Sequence, residues 1–238
     1  MRWRLVFLLA LLLPELPLDP FRGDLGASWL HLLGTDALGR DGLLRLLLAG
    51  ARSLGFASAV ALLALCLAAV AALGAERFKG ARSALRAIPP LLFLLPLAAA
   101  WGGLSWMALG LLLGGLLALQ LEPPLRARLE PFRRGPAWAM NRVLGGSWLH
   151  RTRIWTPWVA DQTASLFPTA WLGALWGEAT LRLLGLGPGP QHDSLGLLLN
   201  QELPRLSTDG TPLGWASLML VLALAALSAF RRGGSVGN

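Results

Sequence analysis

The feature that most constrains this chain is a stretch of 35 residues, Ala87 to Leu121, without one charged side chain. A second uncharged run, Leu54 to Ala75, precedes it. A helix that crosses a bilayer needs about 20 mostly apolar residues, roughly 17 at the least. Leu54–Ala75 meets that need once, whereas Ala87–Leu121 is too long for a single crossing. Trp101-Gly102-Gly103 interrupts the longer run near its middle, which predicts two helices, 87–101 and 104–121, joined by a tight hairpin. Three further apolar segments follow the same logic. Residues 5–18 are short and contain Pro14 and Pro17, residues 158–184 carry Asp161 and Glu178, and residues 213–230 end at Arg231-Arg232. The expected fold is all-α: one polytopic membrane domain over residues 1–238, with about six transmembrane helices.

Composition agrees. Of 238 residues 55% are hydrophobic and 14% charged, against about a quarter charged in an average soluble domain. So few polar groups cannot cover a globular surface, which argues against a water-soluble enzyme. Cys66 is the only cysteine, so a disulfide framework and a multi-cysteine zinc site are both excluded.

The formal net charge of +8 raises the question of nucleic acid, which requires Lys and Arg gathered into one patch. Here they fall in short clusters between the apolar runs. With the N-terminus placed inside, 15 of the 21 Lys and Arg residues lie on the cytoplasmic side and 6 on the other. That asymmetry is the positive-inside pattern, and Trp3, Trp101, Trp155, Trp158, Trp176 and Trp215 stand near span ends as an interfacial belt would have them. The basic excess has a membrane explanation, and both termini are expected in the cytoplasm. Met1 to Leu13 also has the basic start and short apolar core of a signal peptide. Pro14-Glu15-Leu16-Pro17 follows in place of a small-x-small cleavage site, so a retained first helix is expected.

Two segments are not spans. The outer one, residues 19–53, contains Gly34 and Gly39, which suit tight turns, and Thr35 and Asp36, either able to cap a short helix. Beyond them Asp41, Arg45 and Arg52 share one helical face, with Asp41 four residues before Arg45 in the favourable ion-pair order. An amphipathic helix lying in the outer interface is expected there. The cytoplasmic loop, residues 122–157, has seven Arg against Glu122 and Glu130, a net +5. Ala137, Met140, Leu144 and Trp148 recur at helical spacing, and Gly145-Gly146 breaks that pattern. A short helix, a turn and a second segment ending at Pro157 would make a docking element. Taken without other information, the loop reads as a basic segment resting on anionic headgroups.

Other motifs are missing. There is no G-x-x-x-x-G-K-[ST] phosphate loop, no H-E-x-x-H and no G-x-S-x-G. His31, His150 and His192 are scattered, and Gly185, Gly187 and Gly189 lack the setting of a dinucleotide loop. Gly110 and Gly114 form a small-xxx-small spacing that a glycine-rich chain produces readily by chance. Glu178 stands out as an ionisable group in a span. Arg182, four residues later, is expected to pair with it and fix the helix end.

Taken in order, these pieces resemble the membrane subunits of binding-protein-dependent ABC importers of the dipeptide/oligopeptide/nickel family. His31 to Asp41 resembles H-P-L-G-T-D-x-L-G-R-D, matching at Gly34, Thr35, Asp36, Leu38, Gly39, Arg40 and Asp41, with Leu32 in place of the proline. Glu178 to Gly187 resembles E-A-A-L-S-F-L-G-L-G, matching at Glu178, Ala179, Gly185 and Gly187 among others. Ser194-Leu195-Gly196 sits where the family has S-W-G. In the cytoplasmic loop the family carries E-A-A-x-x-x-G and then I-L-P. Arg142, Leu144, Gly145 and Ser147 fit, and Pro157 falls one residue early. Ala139 occupies the glutamate position, and Met140 and Asn141 the two alanine positions, which departs from the pattern.

The resemblance implies a multi-pass subunit of a prokaryotic inner membrane that forms half of a pathway for short peptides or a similar small solute. It implies a second permease subunit, two ATP-binding subunits and an extracytoplasmic substrate-binding protein as partners, with no nucleic acid. The cytoplasmic loop, residues 122–157, would carry an amphipathic coupling helix docking the ATPase, with Ala139, Asn141, Arg142, Leu144, Gly145, Ser147 and Pro157 as its coupling residues. ATP would be used by those partner subunits, and this chain would bind no cofactor or metal and carry no catalytic residue. Two rival readings stand beside it. A diverged, non-transporting homologue serving as a membrane scaffold would suit Ala139-Met140-Asn141. An intramembrane enzyme would need paired catalytic groups, and no such pair lies in the expected spans.

Overall fold

The computed structural model describes residues 25–29, 31–73, 79–100, 105–136, 148–187, 193–208 and 211–233, with positions 23, 140, 143 and 145. The first apolar segment, 5–18, and the Trp101-Gly102-Gly103 interruption lie outside the described residues. The fold is all-helical. Its helices are α1 (Gly42–Leu73), α2 (Lys79–Ala87), α3 (Pro90–Ala100), α4 (Trp106–Arg134), α5 (Trp148–Leu183), α6 (Leu195–Thr208) and α7 (Pro212–Gly233). Among the described residues the sole β feature is one antiparallel bridge, Thr35 with Asp41.

Among the described residues two helices are long and apolar enough to cross a membrane: α1 over Gly42–Ala72 and α4 over Trp106–Phe132. The remaining apolar runs meet that requirement less simply. Helix α3 has 11 residues, which at 1.5 Å rise reach about 16 Å, half the hydrocarbon thickness. Helix α5 is 36 residues long but carries Asp161, Glu178 and Arg182, which lower its apolarity. Among the described residues the apolar stretch of α7 is Pro212–Ala223.

Three expected boundaries shift, each for a local reason. No separate interfacial helix precedes the second apolar run, because α1 continues unbroken from Gly42 through Leu54. The carboxylate of Asp41 accepts a hydrogen bond from the Leu44 N–H at 2.9 Å, so the start is an N-cap and nothing halts the helix at residue 53. Pro157 does not stop a short segment ahead of the apolar run but sits inside α5, which begins nine residues earlier. Helix α4 likewise runs through Pro123, Pro124 and Pro131 to Arg134, leaving the interhelical connection far shorter than residues 122–157.

The described residues sort into two compact units. The first gathers those up to Ser58, Leu95–Leu109 and those from Leu175; the second gathers Ala59–Leu94 and Gly110–Ala174. The core of the second unit is alanine and leucine. Ala61, Ala64, Leu65, Ala68 and Ala72 line one face of α1 against Ala118, Leu121, Leu125 and Leu129 of α4, with Leu166 and Ala170 of α5. Small side chains let helices approach closely, and Gly114 takes part after all. A Cβ there would lie 2.9 Å from the Leu63 side chain, and one at Gly173 would lie 2.9 Å from that of Leu117. Phe132 and Trp158 stack with centroids 4.7 Å apart. Glu122 is the buried charge of this unit. It pairs with Arg126 at 2.9 Å and with Arg86, while Arg126 also donates to the Ala71 carbonyl at 3.2 Å.

The first unit is built otherwise. Its apolar nucleus is Ala49, Leu198 and Leu213 with Leu33 and Leu46 against them, and around this it buries mainly polar side chains.

Candidate functional site

The turn before α1 is shaped by its own sequence. Gly34 and Gly39 hold φ of 73° and 74°, which glycine adopts without steric cost. A side chain at Gly34 would in addition meet the Leu25 carbonyl at 2.5 Å. Asp36 closes the turn by accepting hydrogen bonds from the backbone N–H groups of Leu38 (3.0 Å) and Arg40 (2.9 Å). It therefore organises a turn and caps no helix. Thr35 accepts from the Leu25 N–H at 2.8 Å, and His31 Nδ1 meets Asp41 Oδ2 at 2.7 Å.

Arg45 does not pair with Asp41, contrary to the four-residue spacing. Asp41 is engaged by the Leu44 N–H and His31, and Arg45 turns into the unit, 2% exposed. Its guanidinium meets Asp36 Oδ2 at 3.1 Å and Glu202 Oε1 at 4.0 Å. It donates to Asp193 Oδ1 through Nε (3.1 Å) and Nη2 (3.0 Å) and also to Gln201. Arg40 bridges the same two aspartates, at 2.7 Å from Asp36 and 3.5 Å from Asp193. Glu202 accepts from the Thr211 hydroxyl at 3.0 Å. Beside this cluster opens a cavity of about 300 Å³ lined by Asp36, Leu38, Arg40, Arg45, Gln201, Glu202 and Arg205, among others.

A second buried network lies in the same unit. Glu178, 0% exposed, accepts a hydrogen bond from Ser53 Oγ at 3.0 Å. Ser53 Oγ in turn accepts from the Leu195 N–H at 3.0 Å. Arg182 pairs with Glu178, at 3.7 Å, donates to Ser194 Oγ at 2.8 Å and lies over the Trp106 ring, 5.0 Å from its centroid. The pairing expected of Glu178 and Arg182 is present, but it lies in the interior and also holds the first turn of α6. Two glycines make room for this. Gly185, at φ 74°, ends α5 with the Leu186 N–H donating to the Leu181 carbonyl (2.9 Å) and its own N–H to Arg182 (3.0 Å), the paired bonds of a Schellman cap. A Cβ on Gly196 would stand 2.4 Å from the Ala179 carbonyl oxygen, so α6 abuts the α5 backbone at Ala179.

Residues from three distant stretches, 34–41, 178–187 and 194–196, are thus joined within one unit. Asp193, Ser53, Gln201 and Glu202 were not singled out from the sequence. The signal for them was indirect: Arg45 and Arg52 sit in a long apolar helix, where a guanidinium demands carboxylate partners. Of the residues expected in the coupling loop, Ala139, Asn141, Arg142, Leu144 and Ser147 lie outside the described residues. Gly145 has φ 65° with open space around it, and Met140 is exposed.

Chemically, the first-unit cluster is a set of carboxylates already matched by guanidinium groups. Among the described residues no group of His, Cys, Asp and Glu is placed to hold a metal ion. Such an arrangement can fix helix register and present charges of both signs to a small polar solute in the adjoining cavity. No protein-family model matches the chain, and no curated protein matches it.

Proposed function

We propose that this chain is the membrane-spanning subunit of an ATP-driven ABC importer. It forms half of the translocation pathway for short peptides or a similar small solute and docks a separate ATPase. The observation that carries the reading is the meeting of three signature-like segments around α1, α5 and α6. Arg40 and Arg45 share Asp36 and Asp193, and Glu178, Arg182, Ser194 and Gly196 adjoin one another through Ser53 and Ala179. Segments that resemble one family's signatures, separated by some 140 residues, have a common structural task here. On this reading the chain has six spans with both termini in the cytoplasm of a prokaryotic inner membrane. A second permease, two ATP-binding subunits and an extracytoplasmic binding protein complete the assembly. The ATPase subunits supply the nucleotide chemistry.

A second reading, a non-transporting homologue that acts as a membrane scaffold, is favoured by one specific feature. Ala139, Met140 and Asn141 replace the acidic and small residues expected in the coupling loop.

Affinity purification of the tagged chain in mild detergent, with mass spectrometry of what accompanies it, separates the two. The importer reading requires a second permease and ATP-binding subunits in stoichiometric amounts. Recovery of the folded chain alone from several detergents would sink it in favour of the scaffold. Within an intact assembly, Gly145→Val is expected to release the ATPase subunits, because a β-branched residue at positive φ is strained. ATPase retention after that substitution would place the docking surface elsewhere.

A further inference from the structure

We infer that residues 25–32, with Trp29 at their centre, form an anchor that inserts into the headgroup region of the bilayer entered by α1. The inference rests on α1 crossing a membrane and stands apart from the importer reading.

Three observations converge. The first is rigidity at a fixed place on the helix. The Gly42 N–H donates to the Gly34 carbonyl at 2.9 Å, and His31 is bonded to Asp41, the N-cap of α1. Ser28 and His31 exchange backbone hydrogen bonds at 2.8 and 3.1 Å. Trp29 is two residues from His31, so its Cα lies within about 7 Å of that of His31. The segment thus stays beside the start of a helix that is long and apolar enough to cross a membrane.

The second observation is an inversion of surface and interior. Trp29 is 98% exposed, and Leu25, Leu32, Leu44 and Leu47 are exposed as well, while Arg45, Asp36, Asp193 and Glu202 are buried. A soluble surface almost never buries its charged groups while displaying its large apolar ones together. Facing lipid, the same arrangement removes the apolar side chains from water and leaves the ion pairs inside the protein.

The third is chemical type. Leu25 to Leu33 contains no Asp, Glu, Lys or Arg, and its one ionisable side chain, His31, is bonded to Asp41 at the helix start. The indole has an apolar body and one N–H that seeks a hydrogen bond, which suits the boundary between acyl chains and headgroups. The lipid surface is therefore the occupant these residues fit.

The test uses the full chain in lipid nanodiscs. In a Cys66→Ser background, Trp29→Cys carries an environment-sensitive fluorophore, and a Leu32→Cys label serves as a second site. Shallow nitroxide lipids, deep nitroxide lipids and aqueous iodide are the quenchers, with the free dye–cysteine adduct as the aqueous reference. A label on native Cys66, which is exposed on α1, reports the depth of the helix itself. The expected result is severalfold stronger quenching at position 29 by shallow than by deep nitroxides, with iodide quenching severalfold below the reference. Iodide quenching equal to the reference, with no nitroxide effect at 29 or 32, would overturn the anchor while a deep-quenched Cys66 label still showed α1 in the bilayer. Loss of lipid quenching at Cys66 as well would remove the premise and the anchor together.

Discussion

The two compact units both bury apolar side chains but differ in the polar ones that they bury with them. Of the twelve buried polar or charged residues among those described, all but Glu122 belong to the first unit. The second unit packs alanine and leucine ridges of α1, α4 and α5. An alanine–leucine seam tolerates small slips between helices, because each contact is weak and non-directional. An ionic cluster does not, because moving Arg45 breaks its directional bonds to Asp36, Asp193 and Gln201 together. The difference teaches where this chain fixes helix register. Directional bonds set it in the first unit and close packing of small side chains sets it in the second.

The largest effect that would sharpen this contrast is expected from Arg45→Met. The methionine fills similar volume but removes the deeper of the two guanidinium groups that Asp36 and Asp193 share, leaving both aspartates to Arg40 alone, a loss of about 3–5 kcal/mol for a broken buried pair. Resistance to denaturant in mild detergent measures it. A change below about 1 kcal/mol, the range of exposed pairs, would mean that the cluster is solvated and the contrast false. The counterpart is Glu122→Gln in the second unit. Arg86 and Arg126 are partly exposed and can rehydrate, so the expected loss is smaller, about 1–2 kcal/mol. An effect equal to that of Arg45→Met would show that both units depend on ionic order alike.

A pair of glycine substitutions tests the packing side. At Gly196 an added methyl would strike the Ala179 backbone at 2.4 Å, whereas at Gly114 it would meet the end of the Leu63 side chain at 2.9 Å. Backbone cannot yield as a leucine rotamer can. Gly196→Ala is therefore expected to cost about 1–3 kcal/mol, as overpacking does, and Gly114→Ala less. Thermal unfolding followed by circular dichroism ranks the two, and the reverse order would show that the α5–α6 approach is adjustable.

Much of the helical pattern was legible in the sequence, because uncharged runs such as Leu54–Ala75 have few alternatives to a helix. The boundaries were less so. Charge marked Arg45 and Arg52 as lying outside the apolar run, yet both belong to α1, since a guanidinium turned inward and paired does not stop a helix. Local spacing gave the correct partner for Glu178 but the wrong one for Arg45. Spacing ranks neighbours on one helix and knows nothing of Asp193, which lies 148 residues from Arg45. The turn glycines Gly34 and Gly39 were legible for the opposite reason: their task is local. Pro157 misled because a proline tolerated within α5 looks, in sequence, like a stop.

The smallest expected effect concerns the point where the first unit begins. Burial by itself would raise the Asp41 carboxyl. The hydrogen bonds from the Leu44 and Leu43 backbone and from His31, with the charge of His31, outweigh it and hold Asp41 below its usual range. A carboxylate held low contributes stability above its ordinary range and loses it as pH falls through the folded value. Asp41→Ala should therefore cost about 1 kcal/mol at neutral pH, the usual loss of an N-cap. Its difference from the parent chain should narrow in acid, by the part that the carboxylate charge contributes, as the parent's own cap protonates. Asp41→Asn caps comparably well and should keep most of the stability with a flatter acid limb. Denaturant midpoints between neutral pH and pH of about 3, just below the ordinary aspartate range, give the comparison. If Asp41→Ala remained equally destabilised throughout, the residue would act through packing, and the link from His31 to the helix start would carry no charge dependence.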